Sequence, residues 1–448
     1  MYHFINSDEF HNLCREKSSN FTRNRKMPLT HLVFFIFKGI SKSITVELES
    51  FFSSLGISGN KITKQAFSKS RMKLKPEAFV TLNDKFIEEI YKNKHRLYKG
   101  YRLLSVDGSK IQLPSGKEVE SVFGKMGHNK KSLNTGTVIT FYDPLNDKIV
   151  ESKLYKYAKG ERAGLLEGIK TIKSKGKQRK DIIIGDRGFY SLEVIYELME
   201  SGYDFILRYN GDKFIRETRG FYDSKEKDVE ITIDLEKITK YNRISKFGQL
   251  KERVKDTQKQ VRLVKVDIGE GKTEYLITSL TDKKEITRGD MKKLYGLRWQ
   301  HEESFKLIKS TGELENISGR KEKTILQDFY AKVFMMNLFS EMAKQADSEV
   351  KKEKTKEKRE KGKKAVENAT KRRKEKGKKY KINRNVGYGI AITKLVRLFI
   401  DVDSDWEKIY YSIITEIKKY IIEVKPGRKN KRVFRPNCKY PANRRRAV

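Results

Sequence analysis

The chain has 448 residues, 37% of them hydrophobic, with 22 Tyr and 24 Phe, which suits a folded protein of two or three domains rather than a disordered one. Lys and Arg number 99 against 59 Asp and Glu; the resulting formal charge of +40 favours nucleic acid as partner, with an anionic membrane surface as the rival. Only Cys14 and Cys438 are present, which excludes a disulfide scaffold and a cysteine-rich zinc site and fits a reducing cytosol.

The opening residues MYHFINSDEFHNL lack the basic-then-apolar pattern of a signal peptide. No stretch approaches ~20 apolar residues, so no transmembrane helix is expected and the expected location is cytoplasmic. Residues 1–95 read as helical. Pro28 can open a helix over Leu29–Ile40, and Val46–Leu55 reads as a second. After Gly56 and Gly59, the stretch Lys61–Arg71 completes the outline of a helix-turn-helix, with Thr63, Lys64, Gln65, Ser68, Lys69 and Arg71 outward. A helical bundle with a basic face is the bland alternative. Phosphate contact by Lys64, Lys69 and Arg71 is expected more firmly than base readout.

From Arg102 the pattern changes. Arg102–Asp107 reads as a short strand ending in Asp-Gly. Gly136–Tyr142 and Lys148–Tyr155 flank Asp143-Pro-Leu-Asn-Asp147 as a hairpin. A helix is expected over Glu161–Ile172, a buried strand over Asp181–Asp186, a helix over Ser191–Met199 and a strand over Tyr203–Tyr209. Three strands in hairpin order followed by alternating helix and strand indicate a mixed α/β sheet covered by helices. Asp228–Ile233, Val261–Val266 and Thr273–Thr278 read as a β-rich insertion, and helix resumes after Asp290 as N-cap and again over Ile325–Ala343. Residues 351–380 hold 16 Lys or Arg and five Glu, a basic arm or solvated helix rather than a core. Ile390–Ile400 and Trp406–Ile422 have helical spacing, and the tail from Lys425 to Arg446 reads as irregular. The expected domains are 1–95, helical and DNA-binding; 96–210 and 286–345, the two parts of an α/β domain; 211–285, the insertion; and 346–448, the basic arm and carboxyl-terminal helices.

Asp107 and Asp186 each follow a short apolar run and sit beside glycines, Gly108 for the first and Gly185 and Gly188 for the second. Carboxylates at strand ends emerge where ligands collect in α/β proteins, although Asp-Gly after a strand is more often a plain turn. A third acid lies in Tyr295-Gly-Leu-Arg298-Trp-Gln-His-Glu302-Glu-Ser-Phe-Lys-Leu-Ile-Lys309. At ~100° per residue on one helix, Tyr295, Arg298, Glu302 and Lys309 fall within roughly a 60° arc, beside an apolar stripe of Leu294, Leu297, Phe305 and Ile308. Glu303 lies about 100° around from that edge. An ordinary amphipathic helix with i,i+4 ion pairs is the alternative reading.

With these residues the chain resembles insertion-sequence transposases of the Asp-Asp-Glu type, which have a ribonuclease-H-like catalytic domain. It resembles most the subgroup marked by Tyr, two residues, Arg, three residues, Glu, six residues and Lys, met here by Tyr295, Arg298, Glu302 and Lys309. Val106-Asp107-Gly-Ser109 matches the family's first aspartate and Ile184-Gly-Asp186-Arg-Gly-Phe189 its second, and Phe21–Pro28 is similar to the amino-terminal region. The resemblance covers most of residues 20–345.

It implies catalysis and metal ligation by Asp107, Asp186 and Glu302, with two divalent cations, Mg²⁺ or Mn²⁺, and Asp107 bridging them. Tyr295, Arg298, Trp299 and Lys309 are implied to contact DNA, and water and then a 3′-OH to be the successive nucleophiles. The implied partners are double-stranded DNA, both inverted-repeat ends and target, and a second copy of the chain on DNA; no membrane partner is implied. The implied setting is the bacterial cytosol, at the nucleoid. Relatives that form hairpin ends hold a flipped base with an insertion aromatic, and here 211–285 contains no Trp; Phe214, Phe221, Tyr222 and Tyr241 are the aromatic candidates. A noncatalytic DNA-binding descendant, and a metal-dependent nuclease that cuts without joining, are the other function classes the residues admit.

Overall fold

A computed structural model of the chain describes all residues except 24, 58–61, 94, 128–131, 210–215, 235–252, 254–256, 270, 365–378, 401–404 and 425–448. Contacts divide it into two units: Met1–Phe86, Gln112–Val122 and Leu307–Val448 form the first, Ile87–Ile111 and Phe123–Lys306 the second.

The chain opens with α1 (Tyr2–Ile5), α2 (Asp8–Cys14), α3 (Leu29–Lys38), α4 (Ile44–Ser54), α5 (Lys64–Arg71) and α6 (Glu77–Lys92). Pro28 is the N-cap of α3, where its missing N–H costs nothing, and seven of the ten residues of that helix are buried. Ser43 and Thr63 cap α4 and α5, their hydroxyls accepting from the Val46 and Ala66 N–H groups. Phe35 of α3 meets Phe51 of α4 and Phe67 of α5 edge-on, with ring centroids 5.4 and 4.9 Å away. These contacts leave Lys64, Gln65, Ser68 and Lys69 exposed on the opposite side of α5.

The second unit is built on β1 (Arg102–Gln112), β2 (Lys125–Met126), β3 (Leu133–Asp143), β4 (Lys148–Lys156), β5 (Asp181–Gly185), β6 (Asp204–Tyr209), β7 (Asp228–Asp234), β8 (Gln258–Asp267) and β9 (Thr273–Thr278). Its helices are α7 (Lys117–Phe123), α8 (Glu161–Ser174), α9 (Leu192–Glu200), α10 (Arg216–Asp223), α11 (Arg288–Gly296) and α12 (Arg298–Ser310), of which α7 and α12 cross the unit boundary. Among the described residues the sheet has nine strands, ordered β2-β3-β1-β5-β6-β9-β8-β7 with β4 on β3. β3 and β4 form the expected hairpin, its turn held by Asp143 Oδ1 accepting from the Leu145 and Asn146 N–H groups. β1 runs parallel to β5, and β5 parallel to β6. The strands of 211–285 extend this same sheet, because β9 pairs antiparallel with β6 and carries β8 and β7 beyond it.

Alternation along the strands feeds two cores. Leu104, Val106 and Ile183 join residues of α8 and α9 in one; Leu103, Ile182, Ile184 and Ile206 join Leu294 and Tyr295 of α11 in the other. Helices therefore cover both faces, which is why the run Ile182-Ile-Ile184 is continuously apolar. At one end of the β1–β5 ladder, Arg102 pairs with its register partner Asp181, with Nε–Oδ1 at 2.7 Å and Nη2–Oδ2 at 2.9 Å, both residues buried. That pair opposes register slippage, since a slip by one residue would separate it and turn the strand over.

The carboxyl-terminal part comprises α13 (Glu322–Lys364), β10 (Lys379–Ile382), α14 (Arg384–Ile400), α15 (Trp406–Lys418) and β11 (Ile421–Val424). The basic stretch begins as the solvated end of α13, mostly exposed from Lys351 to Glu357. Tyr410 donates to Gln345 Oε1 at 2.7 Å and Lys418 pairs with Glu349 at 2.8 Å, tying α15 to α13. β10 and β11 form a small antiparallel sheet that the helical spacing of this region hides. The tail from Lys425 lies outside the described residues. Among the described residues no helix is long and apolar enough to cross a membrane.

Three local expectations are corrected. β1 does not end at Asp107 but continues to Gln112, because a strand tolerates Asp-Gly where pairing on one side goes on. Thr287, not Asp290, is the N-cap of α11, with Asp290 as the reciprocal partner in a capping box. The single helix expected from Tyr295 through Lys309 is divided at Leu297, the C-cap of α11, which keeps right-handed helical backbone angles; Arg298 still meets both the Tyr295 ring and Glu302.

Candidate active site

The last rung between β1 and β5 pairs Val106 with Gly185. Asp107 and Asp186 are the next residues of each chain segment, so parallel register sets them side by side although 79 residues separate them. Asp107 Oδ1 accepts the Gly108 N–H at 3.0 Å, and Asp186 Oδ1 the Gly188 N–H at 2.8 Å. Neither makes an ion pair with a basic side chain among the described residues.

Glu302 arrives on α12 through its neighbour. His301 is almost wholly buried, its Nδ1 3.2 Å from Ser105 Oγ and its ring 5.3 Å from that of Tyr142. Ser105 and Asp107 share a face of β1, so anchoring His301 on Ser105 brings the adjacent Glu302 toward Asp107. Arg298, 5% exposed, pairs through Nη1 with Glu302 Oε1 at 3.1 Å. Its guanidinium lies over the rings of Tyr295 and Trp299, at 5.7 and 4.9 Å. Among the described residues its buried Nε and the Tyr295 hydroxyl beneath it both lack a hydrogen bond of ordinary geometry.

The electrostatics record the convergence. Burial pushes the Asp107 carboxyl up to about 6; the Gly108 N–H and Arg298 oppose this, while Asp186 and Glu302 add to it. Burial, and then the charge on Arg298, hold His301 down at about 3, so it is neutral at ordinary pH.

A fourth acid, Glu161 at the start of α8, joins the group. A Cβ at Gly108 would sit 2.5 Å from Glu161 Oε1, and one at Gly188 3.0 Å from Glu161 Oε2 and 3.1 Å from Asp186 Oδ1. Burial and then Asp186 raise the Glu161 carboxyl, and Lys110 lowers it. The two glycines thus form a cradle that any larger residue would fill. Carboxylate oxygens around such a cradle fit a hard divalent cation such as Mg²⁺ or Mn²⁺. As the side chains stand, among the described residues no three His, Cys, Asp or Glu are gathered tightly enough to hold an ion.

The other expected contact residues are placed differently. Tyr295 is buried in the second core at 2% exposure, so its ring supports Arg298 instead of facing outward. Trp299 is 51% exposed and available. Lys309 closes α12 and belongs to the first unit, whereas the three acids belong to the second. Lys64 and Lys69 are exposed. Arg71 is turned inward, 3% exposed, and bonds Asp328 Oδ1 (2.6 Å), Gln327 Oε1 (2.7 Å), Ser318 Oγ (2.6 Å) and the Thr324 carbonyl (2.8 Å). Its guanidinium is committed to internal partners, which removes it from the outward face assigned to it by helical spacing. Of the aromatic candidates in 211–285, Phe221 is buried and Tyr222 is 39% exposed, while Phe214 and Tyr241 lie outside the described residues.

Sequence reasoning missed Glu161 and His301. An acid in a first helical turn is ordinarily there for the helix dipole, and a histidine on an apolar face is ordinarily core. Only the packing separates these two from that background.

Residues 98–338 match a family model described as Transposase DDE domain. No curated protein matches the chain. A solved structure described as the cryo-EM structure of a piggyBac transposase synaptic complex with hairpin DNA is similar over 93% of this chain and 81% of that chain, at 13% identity and a TM-score of 0.39.

Proposed function

The chain belongs to the Transposase DDE domain family, and from that premise we propose that it is an active DNA transposase, of the Tyr-Arg-Glu-Lys subgroup with a ribonuclease-H-like catalytic domain. In this reading it cuts phosphodiester bonds at the ends of a mobile element and joins the resulting 3′-OH ends to target DNA. The observation that carries the reading is the register of β1 and β5, which makes Asp107 and Asp186 neighbours, with Glu302 within electrostatic reach of Asp107.

Asp107, Asp186 and Glu302 would hold two divalent cations, Mg²⁺ or Mn²⁺. When bound, these supply alignment of the attacking oxygen and neutralisation of charge on the attacking and leaving oxygens. The chain's own groups do the rest. Arg298 orients Glu302 through their ion pair. Tyr295 and His301 act as positioning residues, one beneath Arg298 and the other anchoring α12 on β1. Trp299 offers an exposed ring to DNA, and Lys309, Lys64 and Lys69 offer ammonium groups to its backbone phosphates. Joining two ends requires both to be held at once, so the working form is a dimer assembled on DNA.

The test incubates the protein with labelled end DNA, a target plasmid and Mg²⁺. Asp107→Asn, Asp186→Asn and Glu302→Gln are each expected to abolish nicking and joining while leaving end binding largely intact. Full activity in all three would sink the assignment, and cut ends that never join would favour a nuclease.

A further inference from the structure

The turn that carries Asp186 is held both from within and from outside. Asp186 Oδ1 accepts the Gly188 N–H at 2.8 Å, and the Asp186 carbonyl accepts the Phe189 N–H at 3.2 Å. Phe189 is wholly buried and ties the turn to the core beneath it. The outside hold comes from another element: Arg162, in the first turn of α8, donates from Nε to the Gly188 carbonyl at 2.9 Å. The peptide between Gly188 and Phe189 is thereby fixed at both of its polar groups, the N–H by Asp186 and the carbonyl by Arg162.

Arg162 is a poor choice for building α8 alone. A cation in the first helical turn opposes the macrodipole, and the N-cap, Gly160, brings no side chain to offset it. The arginine is exposed, so burial does not account for it either. Its reach to Gly188 does. A Cβ at Gly188 would come within 3.1 Å of Asp186 Oδ1, so the backbone beside that carboxylate has to stay bare. A bare turn is steadied by donors from elsewhere, and a carbonyl bonded to a cation is a stronger anchor than one in a neutral hydrogen bond.

We propose that Arg162 is a positioning residue for Asp186: it acts through the Gly188 carbonyl, not on substrate or metal, and sets the direction of the Asp186 carboxylate. The inference rests on the metal-dependent reading above. It gives α8 a part in the site that the spacing of the acids does not disclose.

Two substitutions of nearly equal length separate the hydrogen bond from the charge. In Arg162→Gln the amide Nε2 stands where Nε stood and still donates; in Arg162→Met a methyl group takes that place. Both new residues suit a helix. In the full-length protein, Arg162→Met is expected to lower the nicking rate at saturating end DNA roughly tenfold. Mn²⁺ affinity, read from the paramagnetic signal of the free ion, should weaken by a similar factor. Amide exchange over Asp186–Phe189 should quicken, with DNA affinity in metal-free buffer and the melting temperature unchanged. Arg162→Gln should recover most of each loss. Equal losses in both variants, or a loss confined to DNA affinity, would make the charge the operative feature and overturn the inference. So would parental rate and Mn²⁺ affinity in Arg162→Met, with or without a lower melting temperature, the mark of a plain tether. Asp186→Asn is the reference: parental Mn²⁺ affinity there would overturn the metal-dependent reading, and this inference with it.

Discussion

His301 illustrates how one side chain can place another. Its contacts are with Ser105 and Tyr142; it fixes α12 on Ser105, and the geometry of consecutive residues then brings Glu302 toward β1. Its neutrality has a thermodynamic consequence. The folded pKa of about 3 lies below the ordinary histidine value of 6.5, so the unfolded chain binds the proton first as pH falls. The stability due to neutral His301 is therefore fully present above pH 6.5 and is lost progressively between there and about pH 3. Asparagine can replace the contact to Ser105 without titrating. His301→Asn should lessen the acid-side loss of stability in denaturant melts taken from pH 7 to 4, by an amount on the order of a few kcal/mol. A pH profile identical to that of the unmodified protein would show that His301 is protonated freely in the fold.

At the scale of elements, α5 separates two kinds of basic residue that look alike in a list. Lys64 and Lys69 lie on its exposed side, whereas Arg71 is buried among Ser318, Thr324, Gln327 and Asp328. A buried ion pair broken on one side leaves an uncompensated charge, so Arg71→Met should lower unfolding stability by about 3–5 kcal/mol. Removing the orphaned partner as well, in Arg71→Met/Asp328→Leu, should restore much of that loss. If the single variant is as stable as the parent and instead weakens DNA binding, Arg71 belongs with the lysines after all. The break at Leu297 is the other decision made at this scale. Before it Tyr295 is buried in the core of the sheet, and after it Trp299 is 51% exposed.

For the whole molecule the dominant quantity is charge. A formal +40 on 448 residues makes affinity for DNA strongly salt-dependent, because each phosphate neutralised releases condensed counterions. If Lys64 and Lys69 each meet one phosphate, the double alanine variant should flatten the slope of log K against log salt by roughly 1.8 for duplex DNA. Fluorescence anisotropy at several salt concentrations measures this. An unchanged slope would place the DNA track elsewhere on the basic surface.

Much of the architecture was legible before any coordinates. The β3–β4 hairpin, the buried strand β5, the helices α3, α8 and α9, and the strands β7 to β9 follow from local periodicity and turn chemistry. So does the approximate position of each acid, because strand ends and a helix with spaced Tyr, Arg, Glu and Lys are features of consecutive residues. What local pattern does not carry is anything that depends on partners distant in sequence. The adjacency of Asp107 and Asp186 comes from the Val106–Gly185 rung, held in register from the far end by Arg102 and Asp181. The inward turn of Arg71 comes from residues about 250 positions away, and the pull of Glu161 toward Asp186 from space left by two glycines on other elements. Periodicity states which residues share a face; only packing decides which faces meet, and a carboxylate becomes part of a site through that meeting.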